Sequence, residues 1–151
     1  VKHQAAKKLK QFTSKHLPEI LTKDPTLIWS VGKDILMVGQ LQVRKTANGH
    51  YTVRVHNGFE QTFYKQKHAV CYASFYQTAN MDRCNSIVIL DHQLENYSHD
   101  VEHYKKRLTK YLKENNEDKF LLYYARYTQA LPLKQRTEQE CKKTIFLAKY
   151  N

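Results

Sequence analysis

The sequence predicts an α+β fold: a small antiparallel β-meander with a covering helix, followed by a long antiparallel helical hairpin. Two observations lead to it. Ile87, Leu90, Leu94, Tyr97, Val101, Tyr104, Leu108 and Tyr111 recur at spacings of three and four without a miss. That is the apolar stripe of a long helix lying against another helix. Asn48-Gly49 and Asn57-Gly58 each stand between segments of alternating apolar and polar residues, the strongest short-range signal for a β-hairpin.

Taken in order, residues 1–16 hold five lysines and no acid. Alanine, leucine and lysine favour a helix there, with Leu9 and Phe12 as its only large apolar residues, so a basic N-terminal helix or arm is expected. Pro18 and Pro25 punctuate the loop that follows. A single α+β domain then spans residues 17–151. Its β-meander of three or four strands lies within residues 29–64: Ile35 to Val38, then Leu41 and Val43, then Tyr51, Val53 and Val55, then Phe59 and Phe63. A sheet that small needs a helix over it. Residues 65–79 supply one, with Ala69, Tyr72, Ala73 and Tyr76 on one stripe and Val70 and Phe75 beside it.

The helical hairpin occupies residues 82–150. Asn80 or Asp82 starts its first helix, which runs to about Lys113. The run Asn115-Asn116-Glu117-Asp118 reads as a stop and as the cap of the next helix. The second helix has Phe120, Tyr124, Tyr127, Leu131, Cys141, Ile145 and Ala148 along its seam. Lys134 and Glu138 weaken that seam, and Pro132 is expected to kink the helix or restart it. The short link makes the two helices antiparallel neighbours.

A chain of 151 residues with a formal charge of +11 is one domain that attracts polyanions: nucleic acid, an acidic protein surface or an anionic membrane face. The four glycines all precede residue 60, which leaves no glycine-rich phosphate loop. Cys71, Cys84 and Cys141 are scattered and odd in number, so reduced, packed thiols are expected rather than a disulfide framework. Residues 1–16 lack the apolar core of a signal peptide, and no apolar run is long enough to span a bilayer. A soluble protein in a reducing location is the expectation.

Catalytic and metal chemistry find little support. Glu95, His99 and His103 stand at i, i+4 and i+8, with His92 a heptad before His99. That spacing suits metal ligation, but the histidines fall at outward heptad positions and read as a solvated face. Cys71 lies three residues after His68, on an aromatic-rich stripe that reads as core. Cys84 lies near a helix start, where the dipole is expected to lower its thiol pKa. The expectation is a protein without cofactor, metal site or enzymatic activity.

Two surfaces are candidates for binding. Tyr123, Tyr124, Arg126 and Tyr127 combine the residue types that anchor protein interfaces; the alternative is that these rings pack against the Tyr97–Tyr111 stripe. Lys7, Lys8, Lys10 and Lys15 on the arm, with Arg44, Lys45 and Arg54 on the hairpin, are candidates for polyanion binding. Tyr51, Phe59, Phe63 and Tyr64 lie near the second group, as a single-strand-binding sheet face would require. The alternative is that the lysines serve solubility.

Several segments together resemble small uncharacterised proteins encoded by contractile-tailed phages of marine bacteria. They are Trp29-x-Val31-Gly32, Asn48-Gly49-x-Tyr51-x-Val53, Tyr64-Lys65-x-Lys67-x-Ala69, Ile89-Leu90-Asp91, Tyr124-Ala125-Arg126-Tyr127 and Ile145-x-x-Ala148-Lys149-Tyr150. The resemblance covers about residues 29–150 and leaves the basic arm outside. It implies a short β part with a terminal helical hairpin, and a noncatalytic structural or interaction protein of the virion. Its partners would be other virion or assembly subunits with acidic surfaces, and its location the virion or the cytoplasm of the infected cell. The alternative function is an accessory nucleic-acid-binding protein that uses the basic arm and the hairpin face.

Overall fold

Alternation of buried and outward residues builds the sheet. The structure, a computed structural model, describes residues 28–55 and 57–150. Five strands run β1 (Ile28–Gly32), β2 (Ile35–Val38), β3 (Leu41–Lys45), β4 (Tyr51–Arg54) and β5 (Glu60–Phe63). Each pairs antiparallel with the next, so the sheet order is the chain order. Leu36, Val43 and Val53 lie opposite one another across three strands and are all buried. Their neighbours Gln42, Arg44 and Arg54 point to the other face and are exposed. The strand count is five where three or four were expected. The extra strand is β1, an edge strand whose pairing register shifts between Ser30 and Gly32, so that its residues do not keep a simple alternation.

The two Asn-Gly pairs make the same turn. Thr46 N–H donates to His50 O and Gly49 N–H to Thr46 O. Val55 N–H donates to Phe59 O and Gly58 N–H to Val55 O. This is the three-residue hairpin loop that ends in a glycine of left-handed conformation. The β2–β3 turn is tighter and tied to a helix. Gly39 has φ +58, and a Cβ there would clash with Gln77 Oε1. Gln77 uses that approach to accept from Gln40 N–H (2.9 Å) and donate to Val38 O (2.6 Å).

Helix α1 (Gln66–Gln77) covers the inner face of the sheet. Ala69, Val70, Cys71, Ala73 and Phe75 are buried there with Phe63 and the strand valines, and the Phe63 and Tyr72 rings meet at 5.2 Å. Small residues on α1 let helix and sheet approach closely. Helix α1 ends with Ala79 at φ 59, where Ala79 N–H donates to Tyr76 O and Asn80 N–H to Phe75 O, a Schellman ending. The same Asn80 then caps α2 (Met81–Lys113), its side chain accepting from Arg83 N–H. One residue thus closes one helix and opens the next, leaving no linker between them.

Helix α2 repeats the device at its far end. Asn115 has φ 53, Asn115 N–H donates to Leu112 O and Asn116 N–H to Tyr111 O. Asn116 Oδ1 then accepts from Lys119 N–H to start α3 (Glu117–Tyr150). Along the Ile87–Tyr111 stripe every residue is buried or half-buried. Helix α3 is continuous through Pro132, so the restart admitted by the sequence does not occur. Pro132 and Thr128 are both exposed, and the carbonyl that loses its donor faces water, where the loss is small. Lys134 and Glu138, expected to weaken the seam, form an i, i+4 pair at 3.9 Å. No helix among the described residues is long and apolar enough to cross a membrane.

Candidate functional site

Among the described residues, the hairpin is anchored to the sheet and α1 at one end and has no further element beside it at the other. Its anchor is Asp91, buried with 1% of its surface exposed beside His68 at 0%. Helix α1 has no side-chain cap at Lys65 and no acid in its first turn, so its first N–H groups need an acceptor from elsewhere. Asp91 of α2 accepts from the cap residue Lys65 and from Tyr64 just before it. Its Oδ2 accepts from Tyr64 N–H at 2.7 Å and its Oδ1 from Lys65 N–H at 3.1 Å. His68 Nδ1 lies 2.7 Å from the same Oδ1. A carboxylate only accepts, so Nδ1 carries the proton in this pair. His68 Nε2 is buried without a hydrogen-bond partner.

One helical turn on, Glu95 faces the same way. Its Oε2 lies 2.5 Å from Nε2 of His50, which the first Asn-Gly turn presents by holding His50 N–H against Thr46 Oγ1. At the next turn the His99 ring tilts against Tyr64 at 6.3 Å. Asp91, Glu95 and His99 therefore clasp α1 and the sheet from one stripe of α2. The histidines read as a solvated face are exposed, His92, His99 and His103 alike, with His103 also leaning on Tyr104 and Tyr123, while Glu95 turns to His50. Among the described residues no group of three His, Cys, Asp or Glu is placed to hold a metal ion. The His68–Asp91 pair has the makings of a general base, but both groups are closed to solvent. In this setting the pair orients helices.

The cysteines are buried. At Cys84, where the helix dipole favours a lower thiol pKa, burial wins and pushes the thiol up to about 11. Cys141 is likewise raised to about 11, by burial first and then by the nearby Asp91 carboxylate. Desolvation outweighs the dipole here because each thiolate would have to form out of water. At neutral pH both stay protonated and poorly nucleophilic.

Among the described residues, the hydrogen bonds and ring contacts of α2 beyond His99 stay within the hairpin. Tyr123 of α3 meets Tyr104 at 6.1 Å and Tyr111 at 5.5 Å, and the Arg126 guanidinium lies 5.2 Å from the Tyr123 ring centre. Lys110 and Lys119 flank Tyr111 at 5.7 and 5.4 Å. The four expected interface residues thus divide. Tyr123 and Tyr127 are half-buried, with Tyr123 in the seam, whereas Tyr124 and Arg126 are exposed. Leu112 (66%), Leu121 (55%), Leu122 and Tyr124 (51%) are the large apolar residues left open around the hairpin turn. Tyr124 stacks on Phe120 at 6.1 Å, and Phe120 and Leu112 line one shallow depression of about 330 Å³ with Tyr111 and Asn115. Leu112 and Leu121 were legible only as apolar residues off the seam; neither was singled out from the sequence.

The basic residues divide as well. Arg44 and Arg54 share the outer face of the sheet, with Gln42, Thr52 and Glu60, around a hollow of about 260 Å³. Arg54 is held by Glu60 at 2.8 Å, and Arg44 by Gln42. Lys45 lies opposite Tyr51, and Tyr51 opposite Phe63, in the register row of the other face. Phe63 is buried, so the strand aromatics and the two arginines do not share a surface. Lys7, Lys8, Lys10 and Lys15 lie outside the described residues. Comparison with protein-family models, with curated proteins and with solved structures gives no match for this chain.

Proposed function

We propose that the protein is a noncatalytic interaction protein, a structural subunit that docks onto other subunits through the distal part of its helical hairpin. One observation carries the reading: from about residue 100 to 133 two helices have, among the described residues, only each other as partners, yet present Leu112, Leu121, Leu122, Tyr124 and Leu133 to solvent. Two helices alone bury one stripe each, and a stable bundle ordinarily needs a third or fourth helix to cover the remaining faces. At about 1.5 Å per residue, α2 extends roughly 20 Å past His99, enough to reach into a neighbour. The virion as the assembly rests on the sequence resemblance to contractile-tailed-phage proteins alone. Mass spectrometry of purified phage particles tests this, with the chain expected among the particle proteins. Its absence from particles overturns the virion assignment.

The rival reading, an accessory nucleic-acid-binding protein, draws on the charge of +11. It has less geometric support, because the arginines and the strand aromatics occupy opposite sheet faces and stacking needs both on one.

A further inference from the structure

The same distal surface has a charge pattern that narrows its partner. Between residues 101 and 133 the basic residues are Lys105, Lys106, Arg107, Lys110 and Lys113 on α2, with Lys119 and Arg126 on α3; the acids are Glu102, Glu114, Glu117 and Asp118. Two of those acids, Glu117 and Asp118, sit in the first turn of α3, where the helix dipole already engages them. The ion pairs found among the described residues involve none of these basic side chains. Six of the seven, all but Arg107, are exposed. The distal hairpin is therefore both apolar in part and net positive, with none of these cations in an ion pair among the described residues.

The apolar part also has a direction. The half-buried Phe120 and Leu131 recur at four and seven residues from the exposed Tyr124 along α3, with the exposed Leu121 beside them and Leu112 in the depression that Phe120 lines. A row of that kind is complementary to a helix presenting anchors at i, i+3 or i+4, and i+7. We propose that the distal hairpin receives an acidic amphipathic helix from another protein, which completes a three-helix packing. This rests on the interaction reading above and adds the chemistry of the partner. Charge selects among the other occupants. A second copy in two-fold contact would set this positive charge against itself. The chain's own residues 1–16, with five lysines and no acid, repeat the sign. A nucleic acid would answer the cations and leave the leucines in water.

The test uses the full chain and a labelled peptide of about 21 residues, three heptads with leucine at the inward positions and glutamate beside them. Fluorescence anisotropy is expected to show saturable binding that weakens as salt rises. Leu121→Ser with Tyr124→Ser is expected to weaken it by about tenfold or more, and Lys105→Gln with Lys110→Gln and Lys113→Gln to flatten the salt dependence. Circular dichroism on each variant confirms that the helices persist. Equal binding of the lysine-for-glutamate peptide, of polyglutamate, of an oligothymidylate or of anionic vesicles overturns the proposal. So do failure of the leucine–glutamate peptide to bind, and concentration-dependent dimerisation of the chain alone. If the peptide fails while the chain is found in particles, the acidic-helix proposal falls and the subunit reading stands.

Discussion

The two ends of the hairpin use the same helices under opposite conditions. In the proximal part, Asp91 and Glu95 of α2 reach His68, His50 and two backbone N–H groups, and Ile87 and Ile145 enter the core shared with the sheet. In the distal part, tyrosines pair across one seam and leucines face water. Burial on several sides makes a helix insensitive to its surroundings, whereas burial on one side leaves a surface that a partner can complete. The proximal half is therefore where stability resides and the distal half where binding energy is available.

The largest expected break of this contrast is Asp91→Ala. It strands two backbone donors and His68 in the interior, and loss of one partner from a buried charged network costs about 3–5 kcal/mol. Urea unfolding followed by circular dichroism measures it, and a loss under about 1 kcal/mol would mean that Asp91 is not the anchor. Leu94→Ala, at a 5% exposed seam position, is expected to cost about 2–4 kcal/mol in the same assay. A neutral result there would place the proximal seam in solvent. Ala79→Gly should act in the other direction. Ala79 holds a left-handed φ of 59 that glycine adopts without strain, so a gain of about 0.5–1 kcal/mol is expected, and a loss would deny that corner its Schellman geometry. The smallest effect belongs to the distal surface: Leu121→Ser should shift stability by no more than about 0.5 kcal/mol. A cost near that of Leu94→Ala would erase the distinction between the two ends.

Much of this architecture was legible beforehand because its signals are local. Each Asn-Gly turn is closed by hydrogen bonds between residues three or four apart. The Ile87–Tyr111 stripe declares its buried side through spacing alone, and Asn80 and Asn116 cap helices within reach of their own side chains. The anchor was not legible in this way. Asp91 meets its donors 23, 26 and 27 residues away, and no spacing rule links them. One sign was available: a covering helix with neither a capping residue at Lys65 nor an acid in its first turn leaves its start to be held by another element. Glu95 was visible as a member of a histidine row, but its actual partner, His50, arrives from a β-turn 45 residues earlier.

What the sequence by itself determined is the part governed by a few consecutive residues: the turns, the helix periods and their caps, and the excess of positive charge. Only the tertiary structure decided that Tyr123 packs in the seam while Tyr124 faces water, that Arg44 and Phe63 lie on opposite faces, and that burial raises the Cys84 thiol where a helix start alone would lower it. Each of these depends on which surfaces meet and exclude water. Desolvation is a property of the assembled neighbourhood, not of the chain segment that carries the side chain.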